Sequence, residues 1–319
     1  MVHTLPEYAK GQSDANRAII ELFPEASDIL GAIPFKTAPG GRYGYQREGA
    51  LPNNMAFRGI NETPGEGHGV INDLTEQCFP IAGNIDVDRA LIRRHGSERR
   101  AVEERMSIKK KAVVWTDTFI NGNNATEPRE WTGLKSRLQV VGGSVDGSNY
   151  DSRIFANSTA SGGAALSLAQ LDRAIGLVEN PTHILMPKAI LDRFGAAQRD
   201  TGVSGFITWD KDEWGKRAPR YNGLPILTGY GITPHGAFLD FDEVAYGGGG
   251  AVTSSLYIVS FSEEGLCGLE TAPMEVHDYG LLENGAHFRT NVEHDVGLCL
   301  EGAYAAMRMT SITNAAIVK

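Results

Sequence analysis

Residues 43–76 read YGYQREGALPNNMAFRGINETPGEGHGVINDLTE. Two short strand-like pieces, Tyr43-Gly44-Tyr45 and Met55-Ala56-Phe57, are separated by polar residues, glycines and the prolines Pro52 and Pro64. A segment this long and this poor in aliphatic side chains cannot offset its own ordering entropy. The pattern predicts a long two-stranded hairpin that projects from the body and draws its stability from elsewhere.

On the N-terminal side, residues 1–12 read as a loose tail. A helix capped by Ser13 or Asp14 follows, with Ile19, Leu22 and Phe23 on one face until Pro24 interrupts. The run ASDILGAIPFKTAPGG brings Ile29, Leu30, Ile33 and Phe35, then breaks at Pro39-Gly40-Gly41. On the C-terminal side lies the longest predicted helix, NIDVDRALIRRHGSERRAVEERMSIKKKAVVWTDTFI, residues 84–120. Asn84, Asp86 or Asp88 can cap it, Gly96 is a point for a kink, and Ile108, Ala112, Trp115 and Phe119 recur at helical spacing. Nine Lys or Arg against five Asp or Glu make residues 86–111 locally +4. Residues 121–165 read as loops around a short WTGLKSRL piece. A second helix begins at Ser167, with Gln170 completing a capping box, Leu166 stapled onto Leu171, and a stripe of Leu168, Leu171, Ile175 and Val178. THILM is a buried strand and KAILDRF a helix opened by Pro187. Residues 200–223 read as a surface loop or flap. SSLYIVSF is a strong strand, and the last fifty residues are strands with a turn at Glu283-Asn284-Gly285. The fold class is α+β.

The length of 319 residues allows one large domain or two, and thirty-eight glycines favour turns and strands over a helical bundle. A formal charge of -9 argues against a surface that binds nucleic acid everywhere and leaves local basic patches open. Cys78, Cys267 and Cys299 have no metal-ligand spacing and read as reduced thiols of a cytosolic protein. No run is apolar enough for a membrane span, and the N-terminus lacks the apolar core of a signal peptide.

Enzyme signatures are missing: there is no P-loop, no HExxH helix and no GxSxG elbow. Gly65-Glu66-Gly67-His68-Gly69 has glycines but neither the strand nor the helix of a phosphate cradle. Two acidic clusters, Asp210/Asp212/Glu213 and Asp240/Asp242/Glu243, have calcium-type oxygens without EF-hand spacing, and a solvated loop is the simpler reading. Glu293-His294-Asp295 reads as sheet surface. In the basic helix, Arg93, Arg94, Arg99 and Arg100 interleave with Glu98, Glu103 and Glu104 as i,i+4 pairs, and the cation excess leaves weak phosphate contact as a second use.

The run DILGAIPFKTAPGGRYGYQREGALPNNMAFRGINE, followed by the basic helix, resembles the major capsid proteins of tailed bacteriophages with the Hong Kong 97-type fold. The resemblance spans nearly the whole chain and rests on element order. It implies an N-terminal arm at 1–42, an extended E-loop at 43–82, and a P domain at 83–154 with its spine helix at 84–120. An A domain at 155–270 and returning P-domain strands at 271–319 complete the expectation. The implied function is a non-enzymatic shell protein of the virion, assembled in the host cytoplasm as pentamers and hexamers around double-stranded DNA. No cofactor or metal is implied. The implied partners are further copies of the chain, a separate scaffolding protein, a portal, a decoration protein and non-specifically bound DNA, with no membrane.

A ribbon that cannot pack on its own body can pack on a neighbour's, although folding back on its own domain is the competing outcome. The resemblance makes Tyr43, Tyr45 and Phe57 intersubunit anchors and Arg42, Arg47 and Arg58 their ion-pairing companions. Arg93, Arg94, Arg99 and Arg100 would face the lumen. Some members of the family crosslink an E-loop lysine to a neighbour, but no lysine lies between Lys36 and Lys109 here, so the contacts are expected to be noncovalent. Two other readings stand beside this one: an encapsulin-like compartment shell, and a soluble α+β enzyme with a metal or sugar at the Asp210 loop.

Overall fold

The computed structural model describes residues 27–96, 98–139, 153–199, 206–211, 217–229, 238–283 and 285–318. The expected first helix with Ile19, Leu22 and Phe23 lies outside the described residues. A short helix α1 (Asp28–Ala32) and strand β1 (Phe35–Thr37) lead into the hairpin strands β2 (Arg42–Ala50) and β3 (Val70–Gln77). Strand β4 (Phe79–Asp88) follows, then helices α2 (Arg89–His95) and α3 (Glu98–Asn121).

Residues 84–88, expected in the long helix, are strand instead. Ile85 and Val87 are buried while Asp86 is exposed, an alternation of period two, and the strand pairs residue by residue with a later one. Asp88 then caps α2, its carboxylate accepting from the Ala90 amide at 2.6 Å, and Gly96, at φ 82°, ends that helix. Ile108, Ala112, Trp115 and Phe119 of α3 are buried as their spacing predicts.

The partner of β4 is β15 (His287–Leu300), which organises a five-stranded sheet. One edge of β15 pairs with β4, from Phe79 opposite Val296 to Asp88 opposite His287. Its other edge pairs with β13 (Leu266–Glu270) and β14 (Glu275–Leu281), and β1 extends the sheet by lying parallel to β13. Trp115 and Phe119 stack at 5.2 Å, and Phe35 lies 6.1 Å from Trp115, so α1, α3 and this sheet share one core. His294, expected on the sheet surface, is in that core 3.3 Å from Glu270. The phase of β15 decides it: Thr290, Val292, His294 and Val296 all face inward, whereas Glu293 faces out.

A nine-stranded sheet forms the second body. Its centre is β12 (Ala251–Val259), flanked by β16 (Ala306–Val318) and β7 (His183–Leu185). Helices α5 (Leu168–Gly176) and α6 (Lys188–Ala197) cover it, and the short α4 (Leu134–Arg137) joins the two bodies. β16 therefore leaves the company of β15, where the sequence reading placed it, because Leu256 and Ile258 of β12 offer a matching buried register to Met309 and Met307. Ser167 caps no amide with its side chain. The Asn157 carboxamide oxygen instead accepts from the Ser167 amide at 3.0 Å. Within the expected flap, β8 (Ile207–Lys211) and β9 (Arg217–Tyr221) pair as a hairpin whose Ile207 and Tyr221 are buried, and the Tyr221 hydroxyl donates to Asp172 at 2.8 Å. All three cysteines are free thiols, with Cys267 directly opposite Cys299.

Lys111 is buried where α3 crosses the sheet, and burial pushes its ammonium down from 10.5 to about 7 against the partial support of Glu293. The unfolded chain keeps that proton up to about pH 10.4. Between about pH 7 and pH 10 the unfolded state therefore binds more protons, and stability rises with pH; below pH 7 the cost is fully present. Lys111→Met is expected to stabilise the subunit at pH 6 by up to about 4 kcal/mol, at about 1.36 kcal/mol per pH unit. The gain should vanish near pH 10, as urea unfolding at the two pH values would measure.

Candidate assembly interface

The hairpin has two halves with opposite surroundings. In β2, residues 43, 45 and 47 share a face because strand side chains alternate, and that face lies on the chain's own body. Tyr45 is buried, and its hydroxyl donates to the Leu300 carbonyl at 3.1 Å. Arg47 donates to the carbonyls of Leu300 and Glu301, the latter at 3.1 Å. Tyr43 stacks on Tyr45 at 6.2 Å under the ammonium of Lys36, which stands 4.4 Å from its ring centre. Lys36 also pairs with Glu301 at 3.0 Å. Burial pushes the Tyr45 phenol up to about 12, with the Glu76 carboxylate adding to the effect.

Arg137 of α4 closes this base. It donates to both carboxylate oxygens of Glu76 on β3, one at 2.8 Å, to the Leu298 carbonyl at 3.1 Å and to the Thr132 carbonyl at 2.5 Å. Gly297 lets the ribbon approach, since a Cβ there would stand 2.7 Å from the Gln77 carbonyl oxygen. None of Lys36, Glu76, Arg137 or Glu301 stood out in the sequence; each is an ordinary charge whose partner lies far along the chain.

The distal half has no such support. β2 and β3 pair from Arg42 opposite Gln77 to Ala50 opposite Val70, with a register shift between Glu48 and Ala50, and residues 51–69 follow no regular ladder. Met55-Ala56-Phe57, expected as strand, is loop, because no partner strand lies beside it. The loop is tied internally: Arg58 donates to the Glu62 carbonyl at 2.8 Å, the Gly59 amide donates to the Glu62 carboxylate at 2.6 Å, and Asn54 donates to the Gly65 carbonyl at 3.2 Å. Its apolar side chains nevertheless point into solvent, with Met55 85% and Ile60 95% exposed and Phe57 fully so. Four large apolar side chains in nineteen residues, counting Leu51, form the kind of patch that marks a contact surface.

The structure thus splits the six predicted contact residues. Tyr43, Tyr45 and Arg47 are taken up by their own chain, Arg42 is exposed at the first rung of the hairpin, and Phe57 and Arg58 stand at the tip.

On the basic helices, Arg99 pairs with Glu103 and Arg100 with Glu104 at 3.0 Å, as the spacing predicts. Arg100 also reaches Asp278 at 2.6 Å. Arg93 and Arg94 have no salt-bridge partner among the described residues and stand exposed on the last turn of α2. The acidic clusters do not come together as sites. Glu243 is held by Arg308 at 2.9 Å and Lys135 at 3.0 Å, while Asp212 and Glu213 lie outside the described residues. Among the described residues no group of three or more His, Cys, Asp or Glu is placed to hold a metal, and no helix is long and apolar enough to cross a membrane.

No protein-family model matches the chain, and no curated protein matches its sequence. Solved structures do match. The holo-SrpI encapsulin complex of Synechococcus elongatus PCC 7942 aligns over 91% of this chain and 89% of its own, with a TM-score of 0.62 at 12% identity. The capsid of a native GTA particle aligns over 90% of each chain, with a TM-score of 0.60 at 16% identity. A chain of Microbacterium phage Oxtober96 aligns over 90% of each, with a TM-score of 0.55 at 13% identity. This chain has the Hong Kong 97-type fold. At 12–16% identity the likeness is one of topology.

Arg137→Ala would leave the half-buried Glu76 carboxylate without its cationic partner, a change expected to cost about 3–5 kcal/mol. Hydrogen exchange should quicken at the β2–β3 amides and stay slow in β12.

Proposed function

We propose that this chain is the building block of an icosahedral protein shell, the major capsid protein of a tailed-phage-type head. The observation that carries the reading is the apolar loop at 51–69, held out on a paired ribbon away from its own core. Such a loop gains its burial from a second molecule, and the contact is head-to-tail because loop and receiving surface differ. Repeated around an axis it closes rings, here pentamers and hexamers, with the nine-stranded sheet as the A domain near the axes and the five-stranded sheet with α3 as the P domain. Many modest contacts per subunit add up through the high effective concentration within the lattice. A separate scaffolding protein, a portal and a decoration protein complete the proposed partners.

Replacing residues 51–69 by an Asn-Gly turn tests the reading, since that dipeptide closes a two-residue hairpin. Wild-type protein is expected to form closed particles in negative-stain micrographs. The shortened chain should stay in small species, with its melting temperature within about 4 °C of the wild-type subunit. A variant that unfolds, or one that assembles as the wild type does, overturns the proposal.

Exposed Arg93 and Arg94 favour a lumen filled with DNA, contacted through phosphates without base readout. Each phosphate contact steepens the salt dependence of binding by about 0.9 in log–log slope. Arg93→Gln with Arg94→Gln is expected to flatten the slope for duplex DNA by about 1.8, equally for any sequence. The SrpI match supports an encapsulin-like compartment as a second reading. Purified particles that protect protein cargo instead of nuclease-resistant DNA would select it.

A further inference from the structure

Strand β4 passes beneath α3, and its inward positions fall on odd numbers: Ile85 and Val87 are buried, and Ile81 packs against the same core. Position 83 belongs to this face but is glycine, and a Cβ placed there would meet no atom within 4 Å. The missing side chain opens a groove of about 330 Å³. Ile81, Ile85 and Val292 line its sheet side, and Ile108 and Val114 its helix side. Asn84, Ser107, Lys110 and Lys111 add polar groups to the wall. An apolar cavity of about 150 Å³ takes up a benzene ring, so this groove has room for an aromatic ring and an aliphatic side chain together.

The same chain carries an aromatic and an aliphatic side chain with nothing around them. Phe57 is fully exposed and Ile60 is 95% exposed, three residues apart at the hairpin tip. They do not enter the groove of their own copy, whose lining includes no residue of 51–69. β2 spans nine residues, about 30 Å of strand, and its pairing with β3 fixes the tip that far from the base. β4 begins two residues after β3 ends, so the groove lies near the base. Charge agrees with a meeting between copies: residues 51–69 carry Glu62 and Glu66 against Arg58, one net negative charge, and the groove presents the exposed Lys110.

We propose that the groove at Gly83 receives Phe57, with Ile60 beside it, from the hairpin loop of a second copy of this chain. The inference rests on the shell reading and specifies where its central contact is made. Gly83 is then a specificity position, because any side chain there fills the seat from inside.

The test uses the full-length chain with a benzophenone amino acid at position 57, assembled from equal parts of normal and nitrogen-15-labelled protein, irradiated and mapped by mass spectrometry. The expected crosslinks join residue 57 to residues 81–85 or 107–114 of a copy carrying the other label. Gly83→Trp should cut their yield about tenfold, equivalent to about 1.4 kcal/mol, while circular dichroism confirms that the variant is folded. If Gly83→Trp fails to fold, the crosslink map decides alone. Crosslinks within one copy, or to any other surface of a second copy, overturn the groove assignment and leave the shell reading standing. Wild-type protein that never assembles overturns both.

Discussion

β15 is hydrogen-bonded along both edges, to β4 on one side and to β13 and β14 on the other. A strand fixed on both sides cannot slip by one residue without turning Thr290, Val292, His294 and Val296 out of the core and Glu293 into it. This register fixes β4, and β4 fixes the two features that matter outside the core. Ahead of it, the hairpin leaves the sheet at Cys78, whose amide bonds to the Gly41 carbonyl at 2.9 Å. Behind it, Asp88 caps the start of the basic helices. The direction of the ribbon and the placement of α3 are consequences of one set of backbone pairs.

The ribbon has two halves, one packed on its own body and one left in solvent. Its base is bound by aromatic stacking, by carbonyls at the end of β15 and by the Arg137–Glu76 pair, so the loop is carried on a stiff support. Its tip leaves apolar surface in water, which a solitary globular protein would rarely keep. In the proposed shell, stiffness at the base would lower the entropy lost when the tip is immobilised against a neighbour, since little of the ribbon remains to be ordered.

Where local periodicity carried the information, the sequence was legible. The stripe Ile108, Ala112, Trp115 and Phe119 is buried as spaced, SSLYIVSF is a strand, and the hairpin strands flank the glycine-rich loop. The start of the long helix was read too early because acidic residues suit a helix cap and an exposed strand face alike. Only pairing with β15 separates those two readings of Asp86 and Asp88. Within 200–223, Ile207 and Tyr221 are too few apolar positions to announce a hairpin, yet both are buried in the second core.

By itself the sequence determined that residues 43–76 could not sustain their own core, that a long basic helix follows, and that the chain is α+β. These depend on composition and on spacings of two to four residues, which act over a single turn or strand. The tertiary structure alone decided which side chains of the ribbon pack on its own chain and which stay exposed. Arg47 meets Leu300 across 253 residues, and Arg137 meets Glu76 across 61. Such pairings exist only in the folded chain, since each charged group is recognisable as an anchor solely through the partner that long-range folding brings to it.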